Sequence, residues 1–283
     1  LPQIEEKFQK ITNQYAIFEI EPEEGEAAPV IIRNSKFMTP FESVTTIYGL
    51  PQSHELDPTP YLSFFFIVFF ALCLTDAGYG LMMAISMGLA LKFVKLGAGM
   101  KKLVKLLMYG GIVTFIIGAL FGGWFGLEAA KMPESLKWLT YTTADGQVMF
   151  IFQKVNALTD PITVLILALG LGFVQLTFGV YMALFHGFRH GDKKDAILDH
   201  GTWAFMLTGL GLFILAAAGV LPAAAIIAKW WVILAAVILV LTQGREKKGI
   251  ISKLFSGILS LYGLVGYMSD ILSYSRLLAL GLA

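Results

Sequence analysis

The sequence predicts an all-α, polytopic membrane protein, and three observations carry that reading. Hydrophobic residues make up 57% of the 283 and charged residues only 14%, whereas soluble domains carry about 25% charged residues. The apolar residues gather into runs long enough to cross a ~30 Å hydrocarbon core as helices. The charge is also unevenly split: residues 1–60 hold 4 Lys/Arg against 10 Asp/Glu, and residues 61–283 hold 17 against 10. The chain thus divides into a short, acidic cytosolic lead-in (1–60) and a membrane domain with basic loops (61–283).

In the lead-in, Ile4, Phe8 and Ile11 fall on one stripe of a helix. Residues 21–29 are an acidic linker, Val30 to Arg33 suit a short strand, and Pro40 to Tyr48 suit a short amphipathic helix. Pro51 to Pro60 is loop. The chain starts at Leu1, has no signal-peptide pattern and stops inside an apolar run, which points to a piece of a longer subunit. The single cysteine, Cys73, excludes an intrachain disulfide and reads as a small buried side chain.

About seven membrane helices are expected, over 61–75, 77–93, 103–126, 160–186, 196–220, 223–242 and 256–283. The first stretch, Tyr61 to Phe93, is ambiguous. As one helix it would span about 50 Å, too long for the core unless tilted. Thr75-Asp76-Ala77-Gly78 is turn chemistry, which favours a hairpin of two short helices. Asp76 then reads either as a turn former or as a functional carboxylate. Gly118, Gly122 and Gly126 recur every four residues, a ridge that lets another helix approach closely. Residues 127–159 form a mixed polar-aromatic loop. Asp160-Pro161 starts the fourth helix, and Lys229, Trp230 and Trp231 suit an interfacial belt. The basic segments 92–105, 186–199 and 243–253 fall on one side, which the positive-inside rule places in the cytoplasm. A hairpin at 61–93 puts the lead-in on that side too.

Three polar groups stand out. His186, His190 and Asp192 lie in a dense polar loop. Metal ligation is conceivable there, but no His-Glu-x-x-His pattern or cysteine pair accompanies them, so loop solvation or an ion vestibule are the competing readings. Asp195 and Asp199 suit a helix N-terminus electrostatically and need no further role. The third group is on the last helix, where Asp270, Ser273, Tyr274 and Arg276 interrupt a greasy run. A guanidinium at bilayer depth costs from ~3 to more than ~10 kcal/mol, and it cannot escape by deprotonating. Snorkelling to the interface is the bland alternative. An upright helix from Ser256 would carry Arg276 ~30 Å, to the far interface, so a deep Arg276 requires strong tilt. No Gly-rich phosphate loop occurs, which excludes nucleotide chemistry of that type on this chain.

The run Asp270-Ile271-Leu272-Ser273-Tyr274-Ser275-Arg276-Leu277-Leu278 resembles the arginine-bearing helix of subunit a (subunit I) of V/A-type rotary ATPases. Phe41-Glu42 to Pro51, Glu55 to Pro60, Thr75 to Gly80, Phe121 to Gly126 and Arg189-His190-Gly191-Asp192 agree with it in order. One departure is Thr75, where the family pattern would have glycine. The resemblance implies eight membrane helices, the hairpin at 61–93, and an eighth helix and a peripheral-stalk domain outside this chain. It implies a stator pressed against a rotating ring of proteolipid subunits, each with a buried carboxylate. Arg276 would stand between two offset half-channels, facing that carboxylate. Asp270 and Ser273 would shape a half-channel, and Arg189, His190 and Asp192 would flank the cytoplasmic access path, with Asp76 a weaker candidate. The partners implied are the ring, stalk subunits, lipid and transported H⁺ or Na⁺, in the plasma membrane of a prokaryote. ATP chemistry would lie on other subunits, and no cofactor, metal or nucleic acid is expected here. A secondary transporter with an anion-binding arginine, or a structural membrane anchor, are the alternatives.

Overall fold

The computed structural model describes residues 30–52, 55–143, 146–155, 160–190, 193–245, 247 and 249–282, with isolated positions between 8 and 18. The acidic linker and most of the expected first helix lie outside the described residues. The remainder is almost wholly helical. Helix α1 is Glu42–Tyr48, α2 Thr59–Leu74, α3 Ala77–Phe93, α4 Ala98–Phe121, α5 Pro161–His190, α6 Lys193–Ala217 and α7 Ala225–Gln243. The last run, Ile250–Gly281, is broken at two points into α8 (Ile250–Ser260), α9 (Gly263–Ser273) and α10 (Ser275–Leu282). Among the described residues five helices, counting that run as one, are long and apolar enough to cross a membrane. Helices α2 and α3 are apolar but shorter, with 16 and 17 residues, or about 24–26 Å.

Helices α2 and α3 turn back on each other at Thr75-Asp76. Thr75 is left-handed (φ 43°) and Asp76 extended. Backbone polar groups at membrane depth must be satisfied by protein. Here Ala77 N–H donates to Gly123 C=O (2.7 Å), and the Thr75 hydroxyl donates to Leu72 C=O. Helix α4 lies against both arms. A Cβ on Gly118 would stand 2.2 Å from the Ala77 nitrogen, so only glycine permits this approach. Gly122 and Gly126 do not extend that ridge. Gly122, at φ +74°, ends α4, and Gly126 lies in the loop beyond.

The lead-in docks where α4 begins. Phe41 and Val44 pack on Leu106, and Lys102 pairs with Glu42 at 2.7 Å. Val30 to Arg33 form no strand, and among the described residues no strand lies beside them to pair with. Residues 127–155 are more ordered than a plain loop. Short 3₁₀ turns and an antiparallel pair, β1 (Thr140–Thr142) with β2 (Val148–Phe150), enclose Met132, Leu139 and Phe150.

Helices α6 and α7 form a second pair around Met206, Ala235 and Leu239. Trp231 stacks on Phe205 (4.9 Å) and donates to its carbonyl (3.1 Å), so it packs a helix pair rather than anchoring at an interface. The polar segment 186–195 is not a loop throughout. Helix α5 continues to His190, and α6 begins at Lys193. A π-turn over Ile197–Gly201 follows. Arg245 holds this start of α6, donating to Asp199 (2.7 and 2.9 Å) and Asp195 (2.8 Å). The hydrogen bonds to Asp199 first, and to Asp195, raise the Arg245 guanidinium above its ordinary pKa against an opposing desolvation. These contacts collect residues 92–105, 186–199 and 243–253 with the lead-in at one end, called the basic end below.

Candidate functional site

The last run of helix crosses its neighbours instead of lying along one of them. Gly257 of α8 sits against Val240 of α7, where a Cβ would fall 1.9 Å from the carbonyl oxygen. Leu261 and Leu264 join the α6–α7 cluster, and Tyr267 of α9 packs on Trp203 of α6 (5.0 Å). Tyr274, at the α9–α10 break, reaches α5 and α2. Its hydroxyl donates to Gln175 Oε1 at 2.6 Å, and its ring packs on Phe69 at 5.0 Å. Gly281 ends beside Leu72 and Thr75 at the close of α2.

This path fixes the depth of Arg276. Gln175 lies halfway along the 30-residue α5, ~22 Å from His190 at the basic end. From Ile250 to Tyr274 the last run covers ~36 Å of helix to reach the same level. The run is therefore strongly tilted against α5, and Arg276, two residues past Tyr274, sits near mid-depth of the bundle.

Direction follows from the same anchor. Ile271 is buried and Tyr274 half-buried, on the side packed against α5 and α2. Arg276 lies ~200° round the helix from Tyr274. It is exposed, as are Leu272 and Leu280. Among the described residues Arg276 makes no ion pair or hydrogen bond. Only 6% of the most apolar stretch of this run is buried within the chain, against 39% for α4. The result is a tilted, apolar face with one uncompensated cation in its middle.

The other predicted residues separate. Asp270 is exposed on α9, and Ser273 turns its hydroxyl back to the Asp270 carbonyl (2.5 Å). Asp76 is buried and occupied: Oδ1 accepts from Tyr79 N–H (2.9 Å) and Oδ2 from Gly126 N–H (3.0 Å). Arg189 lies on the last turn of α5, its guanidinium 4.7 Å over the Phe185 ring. The His190 side chain and Asp192 lie outside the described residues. Among the described residues no cluster of His, Cys, Asp and Glu suits a metal ion.

Two features escape the sequence. Gln175 lies midway along a mostly apolar helix, and its pairing with a tyrosine 99 positions away is invisible in the chain order. The second is an open groove of ≈ 910 Å³ between the α1–α2 loop, α5 and α9. It runs from Glu55, His186 and His200 at the basic end down to Gln175.

Fold and site define a multi-pass membrane protein that presents a tilted, arginine-bearing helix on an uncovered face. No family profile matches the chain. Individual proteins do. The chain is 32% identical over 286 residues to the A-type ATP synthase subunit I of Pyrococcus abyssi, covering 98% of this chain and 40% of that protein. It is 31% identical over 288 residues to the subunit of that name in Methanocaldococcus jannaschii (95% and 40%) and 34% identical over 263 residues to that in Thermococcus kodakarensis (92% and 37%). The chain belongs to the subunit I family of A/V-type ATP synthases. It spans about 40% of the length of the curated relatives it matches.

Proposed function

We propose that this chain is the ion-translocating stator element of a rotary ATPase, resident in a prokaryotic plasma membrane, with Arg276 facing the carboxylates of a proteolipid ring. The observation that carries the reading is the tilted, uncovered last helix with an unpaired guanidinium at mid-depth. An unpaired charge there is costly, so the face calls for a partner that brings an opposite charge and apolar cover. A ring of helices with buried carboxylates supplies both.

In this mechanism Arg276 attracts an ionised rotor carboxylate and disfavours the ion-loaded form, so the ion leaves before the site passes. The fixed charge also blocks cation leak between the two access routes. The groove from Glu55, His186 and His200 to Gln175 is the access route from the basic end, and Arg189, His190 and Asp192 are assigned to that route by their place in the sequence. Asp270 and Ser273 flank Arg276 on the ring side. Asp76 serves the turn rather than the ion path, since both of its oxygens are committed to backbone. ATP turnover belongs to other subunits, and peripheral-stalk subunits hold the stator still. The transported ion is H⁺ or Na⁺.

The test replaces Arg276 by Ala and by Lys in the assembled complex and measures ATP-driven ion uptake, with and without sodium, alongside assembly. Both variants are expected to assemble and lose uptake, because lysine is a compact, deprotonatable charge without the guanidinium fork. Uptake that survives in Arg276→Ala would sink the stator reading. Loss of assembly would favour a structural anchor.

A further inference from the structure

We infer that the hydrogen bond from Tyr274 to Gln175 is a positioning device that sets the azimuth and depth of Arg276. The inference rests on the stator reading for its functional consequence, but its geometry stands on other contacts. Tyr274 occupies the junction of α9 and α10, where the backbone stays right-handed helical and Tyr274 N–H donates to Ile271 C=O (3.0 Å) and Leu277 N–H to Tyr274 C=O (2.9 Å). Three contacts hold its side chain. The hydroxyl donates to Gln175 Oε1 at 2.6 Å. The ring lies tilted on Phe69, 5.0 Å between centroids. Gly172 lies one turn from Gln175 on α5, and a Cβ there would come 2.4 Å from the Tyr274 ring. A polar latch and a glycine seat on α5 thus face one aromatic residue.

The sequence spacing converts this latch into aim. Two residues advance an α-helix by ~200°, so a Tyr274 held inward sends Arg276 outward. Gln175 at the centre of α5 fixes the height. The bond is part-buried at the inner end of the groove, and losing it removes the side-chain hydrogen bond that ties Tyr274 to α5. Tyr274 acts through Arg276 and is a positioning residue; Gln175 both holds Tyr274 and lines the inner end of the groove, so Tyr274→Phe, which leaves Gln175 in place, carries the test.

The experiment uses the full-length subunit in the assembled complex and has two readouts. The first is ATP-driven ion uptake per ATP hydrolysed. Tyr274→Phe and Gln175→Leu are expected to lower that ratio at least about threefold, the scale of one hydrogen bond. The second readout is a spin label on Leu280→Cys in a Cys73→Ser background, whose oxygen accessibility reports the rotation of α10. Tyr274→Phe and Gln175→Leu are expected to change it. An unchanged ratio and label in Tyr274→Phe overturns the proposal. Failure of Tyr274→Phe or Gln175→Leu to assemble also overturns it, because the bond then holds the fold instead of aiming one side chain. If Arg276→Ala retains uptake while the label still moves, the stator reading fails and the positioning geometry survives.

Discussion

At the scale of single residues, the carboxylate of Asp76 and the guanidinium of Arg276 were equally visible in the sequence, and their surroundings separate them. Asp76 accepts two backbone N–H groups from different segments, one on α3 and one in the loop after α4. Charge-assisted hydrogen bonds of this kind contribute ~1.5–3 kcal/mol each. Asp76→Ala is therefore expected to destabilise the detergent-solubilised protein by about 2 kcal/mol or more, read from denaturant unfolding followed by tryptophan fluorescence. Asp76→Asn, which retains one carbonyl acceptor, should fall between. Ion uptake per assembled complex should change little in Asp76→Asn; a complete loss of uptake with stability intact would return Asp76 to the ion path. Arg276 was legible because an ionised residue in an apolar run is costly by default. The α5 partner of its neighbour Tyr274, Gln175, had no periodic signature to show the pairing.

At the scale of elements, helix composition was easy to read and helix ends were not. Gly122 closes α4 by taking a left-handed conformation, whereas Gly187 stays helical and α5 runs through it to His190. The ridge of small residues was partly legible: Gly118 packs on Ala77, while the real counterpart on the last run is Gly257 against Val240. That contact supplies a sharp comparison. Gly257→Ala would drive a Cβ into a carbonyl oxygen at 1.9 Å and is expected to reduce the yield of assembled complex severely. Gly266→Ala, also on the last run but with open space around it, should be neutral or slightly stabilising, since alanine is the better helix former by ~1 kcal/mol. Similar yields from the two variants would show that α8 is not seated on α7 in this way.

At the scale of the whole molecule, the split between an acidic lead-in and basic loops was legible from charge alone, and the fold brings them together. The Glu42–Lys102 pair (2.7 Å) and the Arg245 clamp on Asp195 and Asp199 define one end of the bundle. With the positive-inside rule, cysteines at Lys102 and Lys247 should react with a membrane-impermeant maleimide from the cytoplasmic side. A cysteine at Trp138, in the loop at the other end, should react only from outside. Labelling of all three from one side would contradict the bundle's orientation. What composition did not disclose is tilt. The length of the last run suggested it, but only the succession of neighbours, from Val240 through Trp203 and Gln175 to Thr75, shows how far the helix leans.

The central claim is that this leaning helix presents its Arg276 face to a rotor. A photoactivatable benzophenone carried on a single cysteine in the assembled complex tests it directly. Placed at Leu272, on the exposed face one turn from Arg276, the probe should cross-link to the proteolipid subunit. Placed at the adjacent Ile271, which is 7% exposed and packed inward, it should cross-link within the chain. Cross-links to the proteolipid from 271 and none from 272 would contradict the account.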